Sequence, residues 1–256
     1  MRPTRMRTFG SLMCTSVLAL TLAACGSDGS GTESLDPATT SSPGARLFDD
    51  CRADDPALDG EQTDVVAEAD IDGSGAMNEI AYVSADAGGP CANALFTTFD
   101  GEPSAVPLGD GSLDQQSAEV VQLRGSDRQL LMVRGEPHPR GGYMLHLFGG
   151  ADGQIGEVLA DGEPLLGFVA TDGGGAPATA SCTTDSGIAE LTAKTHAPPG
   201  IVLAWDVWRT TYTLNGNTAV AESTEQVEDA AADPILRKEM PQLFDPSGYL
   251  TDCLRS

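Results

Sequence analysis

Two stretches of this sequence repeat each other at a spacing of about 51 residues, which is a period typical of β-propeller blades. Residues 79–83 line up with residues 130–134, and residues 95–101 line up with residues 146–153 after a shift of one residue. Each copy therefore reads as a pair of strands followed by an Asp-Gly turn. A third, fainter copy covers residues 168–191. The repeat predicts a mainly β fold whose antiparallel sheets form a propeller-like or blade-repeat arrangement.

The clearest single hairpin has Asn215-Gly216 at its centre, because this dipeptide favours a type I′ turn and the residues before it are rich in Thr, Trp and Tyr. Pairing across that two-residue turn would place Arg209 opposite Glu222 and Tyr212 opposite Ala219. We expect the face with the arginine and the glutamate to meet water and the face with the tyrosine to be buried.

Helical periodicity is weak until the C-terminal part of the chain. Only residues 234–244 read as a short helix, and Pro241 should limit it because proline lacks an N–H and clashes with the preceding turn. We therefore expect one short C-terminal helix in a β-rich domain that covers residues 48–256. A domain of that length can bury a sizeable core.

The N-terminal part has the pattern of an export signal. Three arginines occur in the first seven residues, and the uncharged apolar run of residues 12–24 follows them. A transmembrane helix needs about 20 apolar residues, so this run is short for a permanent span. We expect residues 1–24 to be a lipoprotein signal peptide, and residues 25–47, which are rich in Ser, Gly, Thr and Pro, to be a flexible tether.

The segment Leu22-Ala23-Ala24-Cys25 resembles the lipobox of bacterial lipoproteins. The resemblance implies that Cys25 is joined to diacylglycerol through its sulfur and becomes the first residue after cleavage. Two or more acyl chains hold a protein stably on a bilayer. We therefore expect a lipoprotein on the outer face of the cell membrane, of the kind found in high-GC Gram-positive bacteria. The alternative is an ordinary secreted protein in which Cys25 is a free thiol or a disulfide partner.

The charge of the chain restricts the partners that it can bind. The formal net charge is −24. Removal of the signal peptide would take away its three arginines and make the net charge more negative. Contacts with phosphate need lysine or arginine, so nucleic acid and anionic lipid headgroups are disfavoured as partners. The expected partners are the membrane, through the lipid anchor, and an envelope protein or a glycan.

Four cysteines follow the tether, and an even number in an oxidising compartment predicts two disulfides. They are Cys51, Cys91, Cys182 and Cys253, and no C-x-x-C pair suggests a metal or redox motif. Three connectivities are open. The pairing of Cys51 with Cys253 and of Cys91 with Cys182 is favoured, because Cys51 and Cys253 bracket the folded region and could hold its two ends together.

The most informative internal motif is an acidic loop at residues 70–78. Its candidate ligands for a hard cation are the side chains of Asp70, Asp72, Ser74 and Asn78 and the carbonyl oxygen of Ala76. The loop is not an EF-hand, because its twelfth position is an alanine and strand-like residues follow it. The alternative is an Asp-Gly turn whose side chains cap their own backbone.

This loop resembles the D-x-D-x-D-G-x-x-D loop of FG-GAP and VCBS repeats, which lies between two strands of a propeller blade. More loosely, residues 60–215 are similar to small lipoproteins of high-GC bacteria. The resemblance implies that the loop binds Ca²⁺. The sequence departs from the pattern at Ser74 and Asn78, where the repeats have aspartate, and the second copy, residues 124–128, lacks the loop.

The three histidines, His138, His146 and His196, belong to no catalytic motif. The sequence contains no G-x-S-x-G, H-E-x-x-H, S-x-x-K or phosphate-binding lysine motif. We therefore expect no enzyme, but a noncatalytic binding or structural module of the cell envelope. The alternatives are an envelope hydrolase, acting on glycans for example, and a calcium-stabilised sensor for a membrane partner.

Overall fold

The computed structural model describes residues 46–59, 63–109, 113–135, 137, 141–169, 176–196, 203–245 and 247–254. The signal peptide, the lipobox with Cys25 and most of the tether lie outside these residues, as does His138. Strand pairing begins at Arg46, inside the predicted tether.

The described residues form seventeen strands, one α-helix and four short 3-10 helices. The strands are β1 (Arg46–Phe48), β2 (Cys51–Arg52), β3 (Thr63–Ala69), β4 (Asn78–Val83), β5 (Ala94–Phe99), β6 (Glu102–Pro107), β7 (Leu113–Gln122), β8 (Gln129–Gly135), β9 (Tyr143–Ala151), β10 (Gln154–Glu157), β11 (Leu159–Ala160), β12 (Glu163–Pro164), β13 (Phe168–Val169), β14 (Ala178–Cys182), β15 (Ile188–Thr195), β16 (Ala204–Asn215) and β17 (Thr218–Ala232). The α-helix is α1 (Asp233–Glu239), and the 3-10 helices are Pro56–Asp59, Ala85–Ala87, Pro241–Phe244 and Thr251–Cys253. The predicted mainly β fold is confirmed.

Two of the sheets have the same plan. The strands of the first sheet lie in the order β3-β4-β5-β6, and those of the second sheet in the order β10-β9-β8-β7, with β13 also paired to β9. All neighbouring strands in both sheets are antiparallel. Asp100-Gly101 and Asp152-Gly153 form the equivalent turns, and all four residues have positive φ, as a type I′ turn requires. The two strand pairs predicted from the repeat are therefore confirmed.

The third sheet has the order β12-β11-β17-β16-β15-β14. Its strands β14 to β17 form another antiparallel meander, whereas β11 pairs in parallel with the start of β17. The predicted third copy, residues 168–191, does not coincide with this meander. Its first strand, β13, belongs to the second sheet, and only β14 and part of β15 belong to the third. That part of the repeat prediction is wrong.

The second sheet packs between the first and the third, and β1 and β2 form a separate two-stranded sheet. Leu131 and Val133 of β8 lie in a hydrophobic cluster shared with the first sheet, and Leu130 and Met132 lie in one shared with the third. Successive side chains of a strand point to opposite faces, so a strand covered on both faces is apolar throughout. A β-propeller arranges about four to eight such sheets around a channel. The described sheets stack in series, and no ring is seen among them.

The turn between β16 and β17 differs from the predicted one. Asn215 pairs with Thr218, so the two turn residues are Gly216 and Asn217 rather than Asn215-Gly216. Gly216 has a φ of 57°, whereas Asn217 does not have a positive φ. Glycine at the first turn position with positive φ there alone is the type II′ pattern, not type I′.

The shifted turn changes every pair along this hairpin. Tyr212 faces Ala221, and Arg209 faces Glu225 rather than Glu222, because an irregularity beside Thr211 displaces the register further. Tyr212 and Arg209 nevertheless have the packed and the solvent-exposed environments that the sequence predicts for them. Tyr212 packs against the cluster between the second and third sheets, whereas Arg209 and Glu225 form an exposed ion pair.

The predicted C-terminal helix is confirmed but is shorter than residues 234–244. It ends at Glu239, and Pro241 begins a 3-10 turn instead. A residue that precedes proline avoids the helical conformation, and Met240 accordingly has φ −128° and ψ 60°. Leu236 packs in a small cluster with Trp205 of β16. None of the described helices is long and apolar enough to cross a bilayer.

The disulfides join Cys51 to Cys91 and Cys182 to Cys253, so the favoured pairing of Cys51 with Cys253 and of Cys91 with Cys182 is wrong. Cys51 and Cys91 are buried in a small cluster beside the first sheet. Cys182 on β14 and Cys253 in the last 3-10 turn lie in the cluster between the second and third sheets. One bridge therefore lies within the N-terminal part of the domain and the other within its C-terminal part, and neither joins the two parts.

Candidate functional site

The acidic loop connects β3 to β4 in the first sheet and rests on the second sheet. The backbone N–H and C=O of Asp70 are both hydrogen-bonded to Gln129, at 2.8 Å each. The carbonyl of Ile71 accepts a bond from the N–H of Gly150 at 2.8 Å, and the Ile71 side chain is fully buried. The loop is thus anchored at its start, with its central residues exposed.

Part of the loop caps its own backbone. The N–H of Gly75 donates to Oδ2 of Asp70 at 2.9 Å, and the N–H of Ser74 donates to Oδ1 of Asp72 at 3.1 Å. Oγ of Ser74 accepts from the N–H of Ala76 at 3.2 Å. These bonds curl the loop back over its own backbone. They also account for one oxygen of each of the three side chains in the way that a simple Asp-Gly turn would.

Two side-chain oxygens of the loop are left over. Oδ1 of Asp70 and Oδ1 of Asn78 are both buried and have no hydrogen-bond partner among the residues that the structure describes. The amide of Asn78 is held in place, because its Nδ2 donates to the carbonyl of Thr98 at 2.9 Å and the residue is only 8% exposed. A buried oxygen without a partner costs about 1–3 kcal/mol. A turn that only caps itself does not explain why two such oxygens belong to the first and last candidate ligands.

The charge state of Asp72 also suits a cation. Burial acts to raise the pKa of this carboxyl, but hydrogen bonds from the backbone and side chain of Ser74, together with an interaction with Asp70, outweigh it and lower the pKa. Asp72 is therefore ionised at neutral pH. The stability that it contributes is present above its ordinary pKa and is lost as the pH falls through the lowered value.

Arg128 lies beside the loop, and the sequence offered no signal for its role. Its Nε donates to the carbonyl of Ile71 at 3.0 Å, and its Nη1 and Nη2 donate to the Gly216 carbonyl at 2.6 Å and to Oδ1 of Asn217 at 2.7 Å. Burial lowers the pKa of Arg128, and the charge of Asp72 opposes this effect. One guanidinium thereby joins the loop of the first sheet to the hairpin turn of the third.

The same junction explains a glycine of β9 and the shifted hairpin turn. A Cβ at Gly149 would overlap the guanidinium of Arg128. The side chain of Asn217 donates from Nδ2 to the Gly149 carbonyl at 3.0 Å while its Oδ1 accepts from Arg128. Asn217 makes both contacts from the second position of the turn, so these contacts favour the turn at Gly216-Asn217 over one at Asn215-Gly216.

The described histidines pair with carboxylates. Nδ1 of His146 is 2.7 Å from Oε1 of Glu157, on the neighbouring strand. Nδ1 of His196 is 2.8 Å from Oδ1 of Asp206 and 3.9 Å from Oδ1 of Asp229. The second arrangement brings together three residues that the sequence does not associate.

Comparison of the chain with protein-family models, with curated proteins and with solved structures gives no match. The similarity to FG-GAP and VCBS repeats therefore rests on the residues of the acidic loop and on the repeat.

Proposed function

We propose that this chain is a membrane-anchored extracytoplasmic lipoprotein that acts as a noncatalytic binding or structural module of the cell envelope. The observation that supports it best is the pairing of all four cysteines that follow the tether in two disulfides. Structural disulfides persist in oxidising compartments outside the cytoplasm. The lipobox at Cys25 supplies the means of attachment, and the net negative charge of the chain disfavours nucleic acid as the partner.

Attachment through Cys25 is tested by metabolic labelling with a fatty-acid probe. We expect the wild-type chain to be labelled and to fractionate with membranes, and the Cys25→Ala variant to lose the label. Cys14→Ala is the matched control, because Cys14 lies within the apolar run and should keep both properties. An unlabelled wild-type chain, or a Cys25→Ala variant that is still labelled, would contradict the proposal.

We also infer that the acidic loop binds Ca²⁺. The support is the pair of buried oxygens on Asp70 and Asn78, which have no hydrogen-bond partner in the described part of the chain. The residues that would hold the ion are Asp70, Asp72, Ser74 and Asn78 through their side chains and Ala76 through its carbonyl. A bound divalent cation would neutralise the two carboxylates and satisfy the unpaired oxygens. The position of the loop, between the first two strands of a four-stranded meander, agrees with a degenerate blade-like repeat.

Calcium binding is tested by thermal unfolding of the full chain in detergent as Ca²⁺ is added. A ligand that binds only the folded state adds about 2.7 kcal/mol at a concentration 100 times its dissociation constant, so we expect Tm to rise. Asp70→Asn should abolish the rise. Asp127→Asn is the matched control, because Asp127 is exposed in the segment of the second copy that lacks the loop. A wild-type Tm that does not change at millimolar Ca²⁺ would refute the inference.

A further inference from the structure

A second cluster of metal-ligating side chains lies in the third sheet. His196 directly follows β15, Asp206 is on β16 and Asp229 is on β17, and these three strands are neighbours in the sheet. Nδ1 of His196 is 2.8 Å from Oδ1 of Asp206 and 3.9 Å from Oδ1 of Asp229. One ligand atom from each residue lies within 4.8 Å of the other two.

An irregularity in the pairing of β16 with β17 brings the two carboxylates together. The register shifts between Trp205 and Val207, which leaves Asp206 opposite both Asp229 and Ala230. This extra residue is a β-bulge, which changes the direction of a side chain. Ala230 has a φ of 52°, and its N–H donates to Oδ1 of Asp206 at 3.0 Å. The bulge thus holds the carboxylate of Asp206 through the N–H of Ala230. It also places the carboxylate of Asp229 on the same side of the sheet, 3.9 Å from Nδ1 of His196.

The donor atoms indicate the class of ion. Calcium and magnesium prefer oxygen ligands alone, whereas imidazole with carboxylate suits zinc and other first-row transition ions. With bonds of about 2.1 Å, two ligands of a tetrahedral zinc ion lie about 3.4 Å apart. The two distances from His196, 2.8 Å and 3.9 Å, lie on either side of that value. Small side-chain rotations would therefore admit the ion.

We propose that His196, Asp206 and Asp229 bind a divalent first-row transition ion, with zinc as the representative, and that water completes its coordination. The side chains of His196 and Asp229 are 43% and 79% exposed, so an ion can enter from solvent and open positions remain. The carboxylates have outer donors, since Gln226 Nε2 lies 3.4 Å from Oδ1 of Asp229 and the Ala230 N–H bonds to Asp206. Such contacts orient metal ligands.

This site lies in the third sheet and uses no residue of the acidic loop. The proposal is therefore independent of the calcium inference, and Asp70→Asn should leave zinc binding unchanged.

Isothermal titration of the full chain in detergent with Zn²⁺ tests the site. We expect one site whose affinity falls at least about tenfold in His196→Asn and in Asp229→Asn. His146→Asn is the matched control, because His146 also pairs with a carboxylate at 2.7 Å but does not belong to the three-residue cluster. Circular dichroism checks that each variant is folded, and the exposed Asp229 can be changed without disturbing the core.

The proposal is overturned if the wild-type chain binds no Zn²⁺ at millimolar concentration, which would leave His196 and Asp206 as a hydrogen-bonded pair only. It is also overturned if Asp229→Asn binds zinc as tightly as the wild type does, or if His146→Asn removes binding equally.

Discussion

Replacing Cys182 and Cys253 together by serine is expected to lower the free energy of unfolding by about 4 kcal/mol. The bridge joins residues that are 71 apart in sequence. Without it the unfolded chain has more conformational entropy, which stabilises the unfolded state relative to the folded one. It also holds the C-terminal segment in place, where Leu250 is fully buried and its N–H donates to the carbonyl of Ala180 at 2.8 Å. Urea unfolding followed by tryptophan fluorescence measures the change, because Trp205 of the third sheet is buried.

The matched comparison is the double serine variant at Cys51 and Cys91, whose separation is 40 residues. The shorter loop predicts a loss that is smaller by about 0.5 kcal/mol. Alkylation provides a separate check on connectivity. In the variant that lacks Cys182 and Cys253, Cys51 and Cys91 should stay bridged and unreactive, whereas labelling of both would contradict the bridge between them.

The second large effect is expected at Arg128. Arg128→Met should lower the free energy of unfolding by about 3 kcal/mol, because it removes three charge-assisted hydrogen bonds and leaves the partly buried acceptors of Gly216 and Asn217 without this donor. The acceptors belong to Ile71, Gly216 and Asn217, so the first and third sheets both lose a contact. Urea unfolding of the full chain in detergent, without added metal, measures the loss.

Arg124→Met is the control for Arg128→Met. Arg124 is 54% exposed and lies 3.7 Å from Asp252, and such surface ion pairs contribute at most about 1 kcal/mol. Arg128→Lys should fall between the two, because an ammonium keeps the charge but lacks the planar set of donors. Equal losses for Arg128→Met and Arg124→Met would show that Arg128 does not join the sheets.

The acidic loop illustrates how far a motif can be interpreted from sequence. The spacing of Asp70, Asp72, Ser74 and Asn78 was enough to predict an acidic loop between two strands. Which oxygens cap the backbone and which stay unpaired depends on contacts with Gln129 and other distant residues. No pattern in the sequence associates Arg128 with this loop, because its partners lie 57 to 89 residues away.

The same limit applies to the cluster at His196. Asp206 and Asp229 lie 10 and 33 residues after His196 in the sequence. The three side chains come together only because β15, β16 and β17 are neighbours and the pairing of β16 with β17 contains a bulge. Acidic residues are too frequent in this chain for any pair to stand out. What distinguishes these two carboxylates from the others is a histidine close to them in space, which only the structure shows.

Local preferences were sufficient to predict the strand pairs and Asp-Gly turns of the two repeat copies and the short helix before Pro241, because each depends on the φ, ψ and side-chain preferences of neighbouring residues. The disulfide pairing, the Gly216-Asn217 turn and the stacking of the sheets were not predictable in this way. They depend on contacts between segments far apart in the chain, such as the bonds from Arg128 to Asn217 and from Asn217 to Gly149. Such contacts can outweigh a local turn preference, since the free-energy difference between turn types is small compared with several buried hydrogen bonds.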